Sequence, residues 1–431
     1  MRAKKSVFLI LIVLLLAVLV GCGKKPVGEE KVTIRWCVDN APSRKAQIEA
    51  FEEAYPDIKV NLDFIASKGR MLTQIAGGTP PDVFPLYSMD DFIIFAKKDI
   101  LLDITDYVKE WGIDMSDFWP QYLPAMVYEG RIYGFVENAG SMVFFYNKKM
   151  FDEAGVSYPT DNWRWEDALE AAKKLTKKDP STGRHIQFGI DSWIQEPFFI
   201  FWQNGGNIFN QEGTKCIINS PQNKEALQFF YDLQFKYHVS PTSLDRTGIQ
   251  ASSGWAGNLF EGGKTAMIIC GRWMLMSFRR NKELEFDIAP LPYFKERATI
   301  IASKTYSIPK SSKHIKEALK FLRFRLNKEN QLIVARTGDG IPSLRSVANS
   351  KEFLFNPDFP NETRNYLFLE EMKYARPMEV SKYISGFDFR RIWYEETEKM
   401  WIRKQSPSET LDRIAERVNS IMRKRYLEMA K

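Results

Sequence analysis

The chain has 431 residues, of which 44% are hydrophobic and 14% aromatic, so it can bury the cores of about two to three domains and is not a disordered polymer. Lys and Arg (61) outnumber Asp and Glu (54), but three of the positive charges lie in an N-terminal segment expected to be removed. The remaining charge, about +4, is too small for this length to indicate a nucleic-acid partner.

Residues 1–21 have the pattern of a lipoprotein signal peptide. Basic residues precede an apolar run at 7–20, which at 14 residues is shorter than the roughly 20 that a membrane-spanning helix needs. Gly21 and Cys22 then complete a lipobox, which predicts that Cys22 is acylated and that 22–30 form a lipidated tether. An ordinary secretory signal with a chance cysteine is the alternative. We expect the body of the chain to lie in the cell envelope, lipid-anchored on the extracytoplasmic side of the membrane.

The next segments predict a βαβ unit. Residues 31–38 alternate between apolar and polar side chains as a strand does, 43–55 carry apolar residues at helical spacing, and 58–64 alternate again. A strand, a helix and a strand this close together indicate a parallel pair of strands with a helix on one face.

Two further helices are predicted toward the C-terminus. Residues 314–326 carry an apolar stripe, and Ser406 and Glu409 form a capping box ahead of another apolar face. Between the two ends, 141–290 mix strands with Trp-rich and Gly-rich loops. This order predicts two α/β lobes between which the chain passes more than once, with the crossings acting as hinges.

Cysteine and histidine usage indicates neither a disulfide framework nor a metal site. Cys37, Cys216 and Cys270 remain after Cys22, an odd number for an exported protein, and are predicted to be buried thiols. The three histidines lie far apart in the sequence, so no metal and no cofactor are predicted.

Catalytic motifs give no clear enzyme class. Residues 258–265 nearly match a phosphate-binding P-loop, but Asn258 stands at the first glycine position, so a turn after a helix is preferred. Gly-x-Ser-x-Gly and His-Glu-x-x-His do not occur. A carboxylate pair for glycoside hydrolysis could come from any part of the chain, so that class of enzyme stays open.

A series of short motifs follows in a characteristic order, each weak alone. They are the helix-to-strand passage at 50–60, Ile-Ala-Gly-Gly-Thr-Pro-Pro-Asp-Val at 75–83, Gly-Arg-Ile-Tyr-Gly at 130–134, the segment 146–155, Gln-Asn-Gly-Gly at 203–206, the segment 260–267, Gly-Arg-Trp at 271–273 and Ile-Pro-Ser at 341–343. Together they resemble the extracellular solute-binding proteins of family 1, the substrate receptors of ABC importers, from about Thr33 to Leu344.

The resemblance implies an α/β fold of two lobes, the type II periplasmic-binding-protein-like fold, each lobe a mostly parallel sheet flanked by helices and the two joined by a hinge. It places 31–140 and 293–345 in the N-terminal lobe, and 141–292 and 346–431 in the C-terminal lobe. It implies a binding protein rather than an enzyme. The expected function is to capture a mono- or oligosaccharide between the lobes, as a monomer, and to deliver it to the permease subunits of an ABC importer.

The resemblance also implies which residues contact the ligand. Rings suit the flat C–H faces of a sugar, and carboxylates and amides suit its hydroxyl rim. Polar or aromatic contacts are expected after the first strand, where Asn40 is preferred to its neighbour, after the third strand and at the first crossing, namely at Asp39, Asn40, Tyr87, Ser88, Asn138 and Ser141.

Further contacts are expected in the second half of the cleft. Glu196 and Phe198 lie in a Gln-Glu-Pro-Phe segment similar to the Gln-Glu-Pro-Tyr with which maltose-binding members of the family touch sugar. Four tryptophans are candidates for stacking on a sugar ring, with Trp273 preferred because the family repeatedly has Trp after this glycine: Trp193, Trp202, Trp255 and Trp273.

Each of these residues also has a structural interpretation. Most tryptophans in so aromatic a chain pack in a core, and Glu196 could cap a helix or pair with a lysine. Two other functions stay open: an anchored glycan-degrading enzyme, and the same fold with a glycerol phosphate or polyol ligand, which would place several basic residues in the cleft.

Overall fold

The N-terminal pattern folds as its alternation predicts. In the computed structural model, which describes residues 31–64, 68–192, 196–253 and 258–429, β1 (Val32–Val38), α1 (Ser43–Ala54) and β2 (Ile58–Phe64) form a βαβ unit with parallel strands. On the apolar side of β1, Ile34, Trp36 and Val38 are buried and Val32 is partly buried. The predicted signal peptide, the tether with Cys22, Trp193 and Trp255 lie outside the described residues.

The remaining elements follow in chain order. The other strands, two to six residues long, are β3 (Phe84–Leu86), β4 (Val127–Tyr128), β5 (Arg131–Ile132), β6 (Phe135–Gly140), β7 (Met142–Asn147), β8 (Lys177–Lys178), β9 (His185–Gln187), β10 (Met267–Gly271), β11 (Phe286–Ala289), β12 (Thr299–Ile300), β13 (Ala302–Ser307), β14 (Ile341–Pro342) and β15 (Ala375–Arg376). The other α-helices are α2 (Lys68–Ala76), α3 (Met89–Lys97), α4 (Thr105–Glu110), α5 (Lys148–Ala154), α6 (Trp165–Leu175), α7 (Phe199–Gln203), α8 (Pro221–Phe235), α9 (Ser243–Ser253), α10 (Leu275–Phe278), α11 (Ile315–Arg325), α12 (Lys328–Thr337), α13 (Arg345–Ala348), α14 (Lys351–Leu354), α15 (Tyr366–Met372), α16 (Gly386–Trp401) and α17 (Pro407–Met429).

The first lobe is built on a sheet of order β14-β6-β13-β3. β1 reaches this sheet through a parallel bridge between Trp36 and Val83. Helix α11 packs on β1, and α12 packs on α1. The rings of Phe51 on α1 and Phe321 on α11 meet edge to face with centroids 4.8 Å apart, so the two helices share one aromatic core.

The second lobe is built on the antiparallel sheet β10-β7-β11. Phe144 of β7 meets Trp165 of α6 edge to face at 6.4 Å. Helix α17 packs on α8 and α16, and it buries the apolar stripe that the sequence predicts, including Leu411, Ile414 and Val418. The aromatic and aliphatic side chains of these helices form the core of this lobe.

The chain crosses between the lobes at neighbouring points. β6 runs into β7 through Ser141, where the sequence places the first crossing, and β12 runs into β13 through Ile301. The backbone N–H of Met142 donates to the Thr299 hydroxyl (3.1 Å), and β15 pairs with β12 beside it. These crossings form the hinge, and both are short enough to bend without disturbing either core.

The structure corrects two details of the predicted architecture. The sheets are mixed rather than mostly parallel, because β6, β7 and β13, which carry the chain across, run antiparallel to their neighbours. The first lobe also extends past residue 345, since α13 and α14 pack on α12 and β14. The chain then reaches the second lobe with α15, which packs on β7.

Local predictions near the C-terminus are confirmed. The Ser406 backbone N–H donates to the Glu409 carboxylate (2.8 Å), and the Glu409 N–H donates back to the Ser406 hydroxyl (3.2 Å), which is the predicted capping box.

The cysteines after residue 30 are as the sequence predicts: Cys37, Cys216 and Cys270 are buried thiols. Among the described residues, no helix combines the length and the apolar character needed to cross a bilayer.

Candidate functional site: the cleft between the lobes

Two adjoining cavities lie in the cleft, with volumes of about 390 Å³ and 340 Å³. We call them the first and second chamber. Tyr87, Trp273, Ala302 and Ser303 line both, so the chambers form one continuous site. Each volume falls within the range usual for small-molecule sites. The walls come from loops that follow β1, β3 and β10 and from the hinge strand β13.

Trp273 stands where the two chambers meet. It lies two residues beyond the end of β10, and a Cβ on Gly271 would lie 2.0 Å from the Trp273 ring, so only glycine lets the indole fold back over the strand end. The neighbouring Arg272 is buried and donates to the carbonyl oxygens of Gly340 (2.9 Å) and Ala335 (2.8 Å). These bonds fix the turn that carries the indole, which stays half-buried.

Charged side chains form a compensated group in the second chamber. Asp39 accepts hydrogen bonds from the Lys304 ammonium (2.8 Å), the Arg44 guanidinium (2.9 Å) and the Tyr87 hydroxyl (3.2 Å). Burial alone would raise the pKa of Asp39, but Lys304 and Arg44 outweigh it and hold that pKa well below its usual range. Burial, with a smaller contribution from Asp39, raises the pKa of Tyr87, so its phenol stays a hydrogen-bond donor.

The floor of the second chamber is polar and is held by buried hydrogen bonds and an ion pair. Asn138 lies on β6 near the first crossing, and its side-chain amide donates to the backbone oxygen of Asp339. The Asp339 carboxylate accepts from Ser43 (2.9 Å) and forms an ion pair with the buried Arg44. Because Arg44 contacts both Asp39 and Asp339, one buried cation holds two carboxylates at this end of the cleft.

The first chamber has a largely apolar wall and one polar end. The apolar side chains come from both lobes and from the hinge, and include Met89, Met142, Ile269, Ile300, Ile301 and Met378. At the polar end, Glu196 accepts from Arg390 Nε (2.7 Å) and from the Tyr394 hydroxyl (2.6 Å). Burial first, and then Glu196, raises the pKa of Tyr394, so this phenol too remains protonated.

The structure brings most of the predicted polar residues to the cleft. Trp273 and Tyr87 line both chambers, Ser88 and Glu196 line the first, and Asp39 and Asn138 line the second. Ser88 also caps α3, since its hydroxyl accepts from the Asp91 N–H.

Four predicted contacts lie elsewhere. Asn40 is exposed and lines neither chamber, so the preferred residue of that pair is Asp39 instead. Ser141 is buried at the crossing and donates to the Phe368 carbonyl (2.9 Å). Phe198 packs on Trp393 in the second core, and Trp202 is 1% exposed with its N–H bonded to Glu379 (2.7 Å). These last two side chains are structural because the core needs their volume.

The sequence does not reveal several residues that line the cleft. Lys304 and Asp339 lie 265 and 300 positions beyond Asp39, and Arg390 and Tyr394 lie in the C-terminal part of the chain. The sequence does show that Arg390 and Tyr394 are four positions apart, a spacing that places both side chains on the same face of α16.

Comparison with known proteins gives consistent results. The family of bacterial extracellular solute-binding proteins matches residues 39–332. The arabinooligosaccharide-binding protein of Bacillus subtilis is 27% identical, covering 76% of this chain and 77% of the relative. The sn-glycerol-3-phosphate-binding periplasmic protein of Rhizobium meliloti is 24% identical, covering 86% of each.

Solved structures share the two-lobed architecture. An ABC substrate-binding protein of Listeria monocytogenes in complex with cycloalternan superposes with a TM-score of 0.80 at 29% identity, covering 91% of this chain and 99% of the other. The maltose/maltodextrin-binding domain of Bdellovibrio bacteriovorus bound to maltotriose superposes with a TM-score of 0.75 at 21% identity, covering 91% and 100%.

Proposed function

Because the chain belongs to the family of bacterial extracellular solute-binding proteins, we propose that it closes around a neutral oligosaccharide and delivers it to an ABC importer. The observation that carries this proposal is the position of Trp273, shared by two chambers whose other walls offer hydrogen-bonding groups. An indole at such a boundary can stack on one sugar ring while neighbouring rings occupy the space on either side. Two adjoining chambers favour an oligosaccharide over a single ring.

The charges of the cleft favour a neutral ligand over an organic phosphate. Lys304 and Arg44 are bonded to Asp39, and Arg390 is bonded to Glu196 and to Asp90. A phosphate would have to compete with these carboxylates for each cation, whereas sugar hydroxyls can bond to carboxylates and cations alike. A glycerol phosphate ligand, as named for the Rhizobium relative, is therefore the weaker candidate here.

The arrangement supports binding rather than catalysis. The cleft carboxylates Asp39, Asp339 and Glu196 are each bonded to an arginine of the protein, whereas a glycosidase directs a pair of carboxyl groups at the bond it cleaves. We expect oligosaccharides incubated with the purified protein to be recovered intact by chromatography.

A thermal-shift and calorimetry panel tests the proposed ligand class. The ligands are maltotriose, arabinotriose, mannobiose, cycloalternan, glucose and sn-glycerol 3-phosphate. We expect at least one oligosaccharide to bind, and a ligand at a hundred times its Kd to stabilise the protein by about 2.7 kcal/mol. Binding of sn-glycerol 3-phosphate with no response to any saccharide would contradict the proposal.

We further propose that the mature protein is anchored to the membrane through lipid on Cys22. The support is the lipobox and the short apolar run ahead of it. In cells, Cys22→Ser should move the protein from the membrane fraction to the soluble fraction. Retention in the membrane with no loss of labelled acyl chain would contradict the anchor.

A further inference from the structure

Away from the hinge, the two lobes also meet through helix α3 of the first lobe and helix α16 of the second. Arg390 of α16 donates through Nη1 to Asp90 Oδ2 of α3 (2.6 Å) and through Nε to Glu196 (2.7 Å). Glu196 belongs to the same lobe as Arg390, because Phe198 beside it packs on Trp393 of α16. One guanidinium thus joins a carboxylate of its own lobe to a carboxylate of the opposite lobe.

The ion pair between Arg390 and Asp90 can form only when the two lobes are together, because Asp90 is buried against the opposite lobe. Asp90 is only 6% exposed in this arrangement, and a buried carboxylate is stable only with a cation or good hydrogen-bond donors beside it. If the lobes separated, Asp90 would return to water. Arg390 would keep Glu196, so its guanidinium would remain positioned for the next closure.

A glycine permits the close approach of the two helices. Gly386 is the first residue of α16, and a Cβ placed on it would lie 1.7 Å from Asp90 Oδ2 and 2.3 Å from Asp90 Cγ. Any other residue at 386 would push Asp90 and α16 apart. The contact is therefore specified by shape as well as by charge.

We propose that Asp90, Arg390 and Gly386 form a clasp that sets the closed fraction of the protein, with Arg390 as the positioning residue that couples closure to ligand binding. This inference rests on the proposed function, because the clasp borders the ligand cleft: Arg390 and Glu196 line the first chamber. Asp90 and Gly386 are not among the lining residues, so they can be changed without removing a group from the chamber wall.

The clasp predicts a distinctive pattern of affinities. If ligand binds the closed form, the apparent Kd equals the intrinsic Kd divided by the closed fraction. Weakening the clasp then raises the Kd for every ligand by one common factor. Changing a chamber residue instead alters one ligand relative to another.

The test compares D90N, which removes the charge, and G386A, which blocks the approach, with wild type. Ala is a better helix former than Gly, so G386A should fold normally. The matched control is R391Q, which removes a charge from the next residue of the same helix, where Arg391 bonds within the helix to Glu395. The readouts are the radius of gyration without ligand, from small-angle X-ray scattering, and the Kd for maltotriose and arabinotriose.

For both clasp variants we expect a larger radius of gyration without ligand than for wild type, and about a tenfold rise in Kd that is equal for the two sugars. R391Q should match wild type in both readouts. Unchanged scattering, or a change in Kd that differs between the sugars, would overturn the clasp. If these two sugars do not bind the wild type, the Kd is measured with the oligosaccharides of the panel that do. If no oligosaccharide of the panel binds, the proposed ligand class fails, and the radius of gyration without ligand still tests the clasp.

Discussion

The indole of Trp273 borders both chambers while remaining half-buried, so substituting it tests the proposed stacking on a sugar without emptying a core. Its position depends on the glycine two residues before it and on the buried Arg272 beside it. Neither contact involves the ligand, and together they hold the ring in place before any sugar arrives. Such preorganisation lowers the entropy lost on binding.

Trp273→Ala should weaken oligosaccharide binding by about 2 kcal/mol, roughly 30-fold in Kd, because the stacking surface is lost at the centre of the site. Calorimetry with the tightest saccharide of the panel measures this. The control is Trp111→Ala, since Trp111 is also partly buried but lies on the first lobe away from both chambers. An unchanged Kd for Trp273→Ala would remove the ring from the site.

Asp39 and Asn40 show how far sequence reasoning reaches for one residue. The resemblance to the solute-binding family implies a polar contact after β1, and Asp39 lines the second chamber at that point. Which of the two faces the cleft depends on Lys304 and Arg44, and Lys304 is 265 positions away. Trp202 illustrates the same limit, because its N–H meets Glu379 across 177 positions and turns the ring into the core.

Elements specified by neighbouring residues were predicted well. The strands and helix of the N-terminal βαβ unit follow from local periodicity, and its parallel strands are joined by a single short crossover. The capping box of α17 depends on residues three positions apart. Strand direction in the sheets depends on pairing between distant segments, such as β13 with β3 and β6, and local periodicity carries no information about it. This is why the expectation of mostly parallel sheets is wrong.

The capping box of α17 gives a test of local stability. Ser406→Ala removes the hydroxyl that accepts from the Glu409 N–H, which should lower the free energy of unfolding by about 1 kcal/mol. Urea denaturation followed by circular dichroism measures the change. Ser408→Ala, in the same turn, is the control and should have a smaller effect. Equal losses would show that the cap bond is not the cause.

The pairing of Glu371 with Arg297 affects the stability of the entire protein. Glu371 lies in the last turn of α15, and Arg297 lies on the segment just before β12. Burial raises the pKa of Glu371 to about 7, although Arg297 opposes the shift. The folded protein therefore holds a proton that the unfolded chain releases near pH 4.5.

The sign of the pH effect follows from linkage. Stability from the protonated Glu371 is fully present below pH 4.5 and is lost as the pH rises through about 7. As the pH rises from 4.5 to above 7, the free energy of unfolding of the wild type should fall by up to about 3 kcal/mol more than that of Glu371→Gln. Urea denaturation at pH 4.5, 6 and 8 measures the difference. Glu370→Gln, at an exposed neighbour, should follow the wild type, and a parallel curve for Glu371→Gln would contradict the assignment.

The two-lobed fold follows the sequence prediction. For the lobe boundaries, the sequence predicts 140/141 and 292/293, whereas the strands run across at Ser141 and at Ile301. The β6 to β7 passage is marked by a local motif. The return between α14 and α15 is marked by no local pattern, because α13 and α14 stay on the first lobe through contacts with α12 and β14.

The interleaving of the lobes bears on how the chain reaches its compartment. The first lobe needs β13 and β14 to complete the sheet that holds β3 and β6, and the second needs α16 and α17 to cover its core. Neither can finish until the C-terminal third has been synthesised, since domains fold as units. A chain exported N-terminus first through a secretion channel would therefore remain unfolded until nearly all of it had crossed the membrane. Both lobes would then fold outside the cytoplasm.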